Sequence, residues 1–380
     1  MQSHKLTIGF VRRGFSSSGG AEAYLKRLAA GLVENGHAVR LYASTDWPPN
    51  EWTFGPLTRL DAGSAIGFAD ELEKVRRDPS IALRMTDHGD CDVLMSFERI
   101  WRCDLYRAGD GVHRAWLERR EKSGGPFQKL SRVFNRKHSA TLALEESLFA
   151  KGGAARVIAN SRMVKDEIVR FYGFPAGKID VVYNGVPVEA LHRDAETRAR
   201  RRETLGLGEK DVVVLFAGSG WERKGLRFAI DAIEKTGKEM RLLVAGRGEQ
   251  KKFRSKRVQF LGVVEDMPGL YAAADIFLAP TLYDPFSNAC LEALAAGLPV
   301  ITTRANGFSE IIETGVHGTV LNDPRETGEI RDALVFWSES ARREEARIGI
   351  RELATRFDIS ANVARTLEIL AQFAARAAST

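Results

Sequence analysis

The chain has 380 residues, 44% of them hydrophobic and 28% charged, and carries a net charge of +6. That length exceeds a single compact core and fits two domains, and the composition is that of a soluble globular protein rather than a disordered or membrane-embedded one. Three scattered cysteines, Cys91, Cys103 and Cys290, have no paired spacing, which argues against a disulfide framework or structural zinc and suits a reducing cytoplasm.

In chain order, Leu6–Val11 reads as a buried strand behind a short polar lead that lacks the features of a signal peptide. A Ser/Gly loop, Ser16–Gly20, leads into Ala21, Leu25, Leu28, Ala29 and Leu32 at helical spacing, and Asn35-Gly36 ends that helix. Further strands are expected at Val39–Ala43, Val93–Phe97, Val157–Ala159 and Ile179–Tyr183. The turn cluster Asn184-Gly185-Val186-Pro187 and an Arg-rich stretch to Asp211 precede a second series: Val212–Ala217, Arg241–Ala245, Val258–Leu261, Ile276–Ala279 and Val300–Thr302. Ile359–Ala375 reads as a terminal helix. Strand–helix alternation of this kind predicts an α/β chain of two tandem, doubly wound, Rossmann-like domains with a cleft between them. The expected bounds are 1–187 and 188–358, with 359–380 packing back on the first domain. No apolar run approaches the ~18 residues of a membrane span.

Such sheets bind ligands beyond the carboxyl ends of their strands, and three segments of the second domain fall there. Gly218-Ser-Gly-Trp-Glu-Arg223-Lys224-Gly225 joins glycines that permit close backbone approach to two permanent cations, a combination suited to a diphosphate. Gly246-Arg247-Gly248 is a tight turn, not a dinucleotide fingerprint. In Asp284-Pro-Phe286-Ser287-Asn288-Ala-Cys-Leu-Glu292, Ser287 or Asn288 caps a helix closed by Gly297. Side chains lean toward the helix N-terminus, so the Glu292 carboxylate returns toward whatever sits there and can grip neighbouring hydroxyls. Asp284, just before the helix, can grip a second set.

These motifs, with Gly19-Gly20, Asn35–Val39, Asn160-Ser161, Tyr183–Val186, Ala273–Ile276 and Gly297–Ile301 in the same order, resemble family four of the retaining glycosyltransferases, which have the two-domain GT-B fold. The resemblance covers nearly the whole chain. It implies that Arg223 and Lys224 hold the diphosphate of a UDP-sugar donor and that Glu292 holds its ribose. It implies also that Asp284, with the amides of Phe286, Ser287 and Asn288, faces the sugar, and that Gly19 and Gly20 approach from the first domain. No cofactor and no metal are implied, because cations and helix-end amides meet the leaving charge. Asp90-Cys91-Asp92 matches the metal motif of a different glycosyltransferase fold, but it lies just before a strand, where Asp is a common turn residue. Two positions depart from the family pattern. Asp284 stands where Glu is usual, and Ser219 where Arg commonly follows the loop's first glycine.

In the first domain, Asp104–His113 is expected to be a loop after the strand at Val93–Phe97. It resembles the segment that carries an active-site Asp in lipopolysaccharide core glucosyltransferases, which implies a catalytic Asp110, with His113 and Arg162 as acceptor-side or alternative catalytic groups. Between Arg99 and Lys137, basic residues outnumber acids and interleave with Trp101, Trp116, Phe127 and Phe134. That mixture suits an anionic membrane surface, a phosphorylated acceptor or RNA, or a solvated charged face; the resemblance favours the membrane. The expected protein is a cytoplasmic, membrane-peripheral hexosyltransferase, moving glucose from UDP-glucose to a lipopolysaccharide core heptose or similar lipid-linked glycan, with no nucleic-acid partner. The alternative is a transferase of the same fold using another UDP- or GDP-sugar and a different acceptor; a UDP-sugar epimerase or a silent binding module are the readings from other classes.

Overall fold

The first apolar run forms β1 (Thr7–Val11), paired in parallel with β2 (Ala38–Ser44) on one side and β4 (Val93–Ser96) on the other. Ile8 lies opposite Val39 and Val93. In this computed structural model, which describes residues 5–16, 20–77, 91–123, 136–192, 194–253 and 255–377, the chain forms two units. One comprises Met1–Tyr183 with Ser360–Thr380, and the other Asn184–Ile359. Gly19, Asp90 and residues 124–135 of the basic stretch lie outside the described residues.

The first unit is a seven-stranded sheet in the order β3-β2-β1-β4-β5-β6-β7, with β3 Leu57–Leu60, β5 Cys103–Ala108, β6 Ala154–Ala159 and β7 Ile179–Val181. Its helices are α1 (Gly20–Glu34), α2 (Ala65–Arg77), α3 (His113–Ser123), α4 (Arg136–Ala150) and α5 (Arg162–Tyr172). α1 buries Tyr24, Leu25, Leu28, Ala29 and Leu32, the spacing of one helical face. It stops where Gly36 takes a left-handed φ of 85°.

The second unit is a six-stranded sheet in the order β10-β9-β8-β11-β12-β13. Its strands are β8 Val212–Ala217, β9 Met240–Ala245, β10 Val258–Gly262, β11 Ile276–Ala279, β12 Val300–Thr303 and β13 Gly318–Leu321. The helices are α6 (Ala195–Thr204), α7 (Trp221–Lys224), α8 (Leu226–Ile233), α9 (Met267–Ala273), α10 (Asn288–Ala295), α11 (Thr327–Ser338) and α12 (Ser340–Thr355). All recorded strand pairs in both sheets are parallel and their strands are largely buried, as expected of sheets covered on both faces.

The final helix, α13 (Ile359–Ala377), belongs to the first unit. Tyr24 Oη donates to Asn362 Oδ1 at 2.8 Å, and Asn362 Nδ2 donates to the Tyr183 carbonyl at 2.5 Å. A Cβ at Gly31 would come within 2.6 Å of Val363, so α1 and α13 are in close contact there.

Three strands were not expected from sequence. β5 is the instructive one, because Asp104–Ala108 reads as loop on its charges. Both charges are absorbed internally. Asp104 Oδ2 accepts the Leu94 N–H at 2.8 Å, and buried Arg107 donates to the Val182 carbonyl at 2.9 Å with its guanidinium 5.1 Å from the Tyr24 ring centre. The Arg-rich stretch before Asp211 also works inward. From α6, Arg198 and Arg202 reach buried Asp275 at 2.7 and 3.2 Å, and the Val213 N–H donates to the same carboxylate at 2.8 Å. Burial alone would raise the Asp275 pKa, but Arg198, the Val213 amide, Arg343 and Arg202 outweigh it and hold the carboxyl below its ordinary value.

Each sheet reverses its strand order once, between β1 and β4 in the first unit and between β8 and β11 in the second. The loops at the carboxyl ends of those strands are where an open α/β sheet offers a binding crevice.

Candidate active site

In the second unit both loops at the reversal carry the expected motif. After β8 the chain turns through Gly218 (φ 128°) and Gly220 (φ 74°) into α7, then through Gly225 (φ 77°) into α8. These angles are strained for residues with a Cβ. A Cβ on Gly225 would sit 1.9 Å from the Pro280 carbonyl oxygen, so the turn is pressed against the loop after β11. The Arg223 carbonyl seals that contact by accepting from Leu282 N–H (2.8 Å) and Thr281 Oγ1 (2.9 Å). The result sets two side chains against the second loop. Arg223 Nη1 donates to the Tyr283 carbonyl at 3.3 Å, and Lys224 Nζ lies 3.3 Å from Asp284 Oδ2, both members of that ion pair being largely buried. Lys224 passes so close over Gly218 that a Cβ there would meet its Cε at 2.7 Å.

Asp284 is held by its backbone. Its N–H donates to the Ala305 carbonyl (2.9 Å), and its carbonyl accepts from Gly307 N–H (3.0 Å). α10 then begins, with Ser287 as its N-cap accepting from Cys290 N–H. The Ser287 N–H itself donates to Asn306 Oδ1 at 3.2 Å. Asn288 accepts from Asn184 Nδ2 at 2.6 Å, and Phe286 packs edge-on against Phe308 at 5.9 Å. One turn into α10, partly exposed Glu292 accepts from Tyr271 Oη at 2.9 Å. Cys290 is fully buried, and burial pushes its thiol up to about 12, so it is no nucleophile.

The glycine turn Gly246-Arg247-Gly248 joins this group by backbone contact. A Cβ on Gly246 would meet the Gly218 carbonyl oxygen at 2.3 Å, and Arg247 N–H donates to Ser219 Oγ at 3.3 Å. The serine at the family's usual arginine position therefore spends its hydroxyl on the neighbouring loop.

In the first unit Asp110 lies just beyond β5, exposed, with Oδ2 3.2 Å from Arg12 Nη1. Arg12 follows β1 at the reversal and also reaches Glu22 (3.1 Å) and Glu98 (4.0 Å). Burial disfavours its charge, but Asp110, Glu98 and Glu22 more than restore it, and its pKa lies above the ordinary arginine value. His113 starts α3. Its N–H donates to Glu145 Oε1 at 2.6 Å, and its Nε2 is 3.0 Å from His138 Nδ1. Buried Glu145 also takes Arg99 (2.9 Å), Arg114 N–H (3.2 Å) and Tyr172 Oη (2.7 Å). Arg162, exposed, opens α5 behind the Ser161 cap, and buried Asn160 donates to the Gly109 carbonyl at 3.1 Å. The sequence reading thus named Asp110, His113 and Arg162 but missed Arg12, Tyr271 and Asn306. Arg12 and Asn306 follow the carboxyl ends of β1 and β12, a positional signal that could have found them.

The basic stretch is less available than its composition implied. Arg99 and Arg107 are buried and internally bonded, Arg119 pairs with Glu167, and Arg114 stacks on Phe171 and Tyr172. Arg102, Arg136 and Lys137 are exposed. Of the Asp-x-Asp, Asp92 Oδ2 accepts the Thr7 N–H at 2.7 Å, a contact that ties the start of β1 to that of β4.

Comparison with known proteins agrees with this architecture. Residues 18–190 match the model for Glycosyltransferase Family 4, and residues 211–339 match Glycosyl transferases group 1. An uncharacterised glycosyltransferase of Methanocaldococcus jannaschii is 27% identical over 328 residues, covering 79% of this chain and 80% of that one. The lipopolysaccharide glucosyltransferase WaaG of Escherichia coli is 22% identical over 361 residues, covering 89% and 93%. The crystal structure of WaaG, a glycosyltransferase involved in lipopolysaccharide biosynthesis, superposes with a TM-score of 0.78 at 21% identity, covering 95% of this chain and 99% of that one. HepE of Anabaena in complex with UDP-glucose gives 0.74 at 19%, covering 97% and 100%. Both halves match in order and the fold is shared, so the chain carries a Glycosyltransferase Family 4 domain followed by a Glycosyl transferases group 1 domain on the GT-B fold.

Proposed function

We propose that this protein is a retaining, metal-independent hexosyltransferase that moves glucose from UDP-glucose to a lipopolysaccharide core heptose or a similar lipid-linked glycan. The observation that carries the reading is the placement of Arg223, Lys224 and Asp284 around Gly218 at the sheet's reversal. Negative charge gathers on the leaving diphosphate as the sugar becomes oxocarbenium-like. Cations already fixed in place stabilise that charge without reorganising, each such contact supplying about 3 kcal/mol. Lys224 must exchange part of its bond to Asp284 for the diphosphate, and that exchange turns the Asp284 carboxylate toward the sugar hydroxyls. Glu292 takes the ribose. The donor's own phosphate receives the acceptor proton on the face it leaves, which preserves the anomeric configuration. Asp110, His113 and Arg162 serve the acceptor.

The UDP-glucose complex of HepE and the activity in WaaG's name support this choice of donor and acceptor. The exposed cations Arg102, Arg136 and Lys137 support a peripheral site on the anionic cytoplasmic face of a membrane. Among the described residues, no helix is long and apolar enough to cross a membrane.

The test is UDP release from a panel of UDP- and GDP-sugars, with and without deacylated core oligosaccharide and with and without EDTA. UDP-glucose should be turned over, faster with the oligosaccharide and equally in EDTA, giving an α-linked product by NMR. Absence of both UDP-sugar turnover and UDP binding in calorimetry would overturn the reading. Co-sedimentation with phosphatidylglycerol vesicles, lost at high salt, checks the membrane component.

A further inference from the structure

We infer that Tyr271 is a positioning residue for the donor, acting through Glu292. The inference rests on the proposal that Glu292 holds the ribose. Tyr271 sits in α9 with no exposed surface, its ring 6.1 Å from that of Phe277, so its hydroxyl is fixed by the core. That hydroxyl donates to Glu292 Oε2 at 2.9 Å. Glu292 itself is on a different helix, α10, and is partly exposed.

A partly exposed glutamate that nothing holds samples many rotamers, and fixing it on binding costs roughly 1 kcal/mol or more of side-chain entropy. A buried phenol that already grips one carboxylate oxygen meets that cost before the ligand arrives. The hydroxyl's donor role is forced, since an ionised carboxylate only accepts. The competing explanation is that Glu292 merely satisfies a buried phenol. On that explanation loss of the hydroxyl disturbs the fold, not recognition of the diol.

The two are separated by calorimetry with UDP and with 2′,3′-dideoxyuridine 5′-diphosphate, which lacks the diol. Tyr271→Phe keeps the ring and its packing. It should weaken UDP about three- to tenfold, the size of one hydrogen bond, and leave the dideoxy ligand unchanged. Glu292→Gln should bring the two ligands to similar affinity, and adding Tyr271→Phe to it should cost nothing more. Tyr271→Met, which removes the hydroxyl with a different core shape, should show the same selective loss. If the Tyr271 variants weaken both ligands equally, or neither, the inference is wrong. If Glu292→Gln leaves the preference for UDP intact, the ribose assignment itself fails, whatever Tyr271 does.

Discussion

Gly218 shows how much of the proposed donor site rests on a missing side chain. Its φ of 128° and the passage of Lys224 across it leave no room for a Cβ, which would meet Cε at 2.7 Å. Gly218→Ala should therefore displace Lys224 and strain the turn while the core beneath β8 stays formed. The expected result is at least a tenfold loss of UDP affinity by calorimetry with the far-UV circular dichroism intact. Lys224→Ala removes the cation and leaves the carboxylate of Asp284 buried without it. We expect turnover to fall about 10²- to 10³-fold, the scale of losing one preorganised charge contact, with a smaller change in KM. Arg223, Lys224 and Asp284 could be singled out in the sequence by their types and spacing, and the resemblance implies their roles. Tyr271 could not, since a buried tyrosine acquires meaning only through the partners that folding brings to it.

Among the elements, most strands were legible as apolar runs. β5 was not, because a strand that neutralises Asp104 against a backbone amide and Arg107 against a carbonyl looks, residue by residue, like a loop. β3 and β13, four residues each, are too short to show a period. The Arg-rich α6 misleads in the opposite sense, since its charges face inward to Asp275, which ties together α6, β8 and the start of β11. Asp275→Asn should destabilise the second unit by about 3–5 kcal/mol, because it strands buried guanidinium groups without their counter-charge. The depressed pKa sets the sign of the pH effect. The ionised carboxylate stabilises the fold fully above its unfolded-state pKa, and that contribution fades as pH falls through the lower folded value. Urea titrations should show the wild type losing stability below about pH 4 more steeply than the variant.

Across the whole molecule, the two-domain α/β plan followed from a strand–helix pattern that starts twice. The first unit is discontinuous, completed by α13 from beyond the second unit. Val363, Ile369 and Leu370 are buried there, each contributing about 1.5–3 kcal/mol. Ending the chain after Asp358 should lower the melting temperature of the first unit by well over 5 °C and leave the second unit's transition and its UDP affinity near their original values. Loss of the second unit's own transition on this truncation would show that it does not fold on its own.

The return of α13 to the first unit also orders events at the ribosome. Nearly the whole second unit is synthesised before the segment that seals Gly31 and Tyr24 exists. The first sheet must wait, open along α1, while its neighbour closes. A nascent chain stalled near residue 350 should carry an exposed apolar strip on α1, and chaperones that hold such strips would find their substrate there, in the oldest part of the chain.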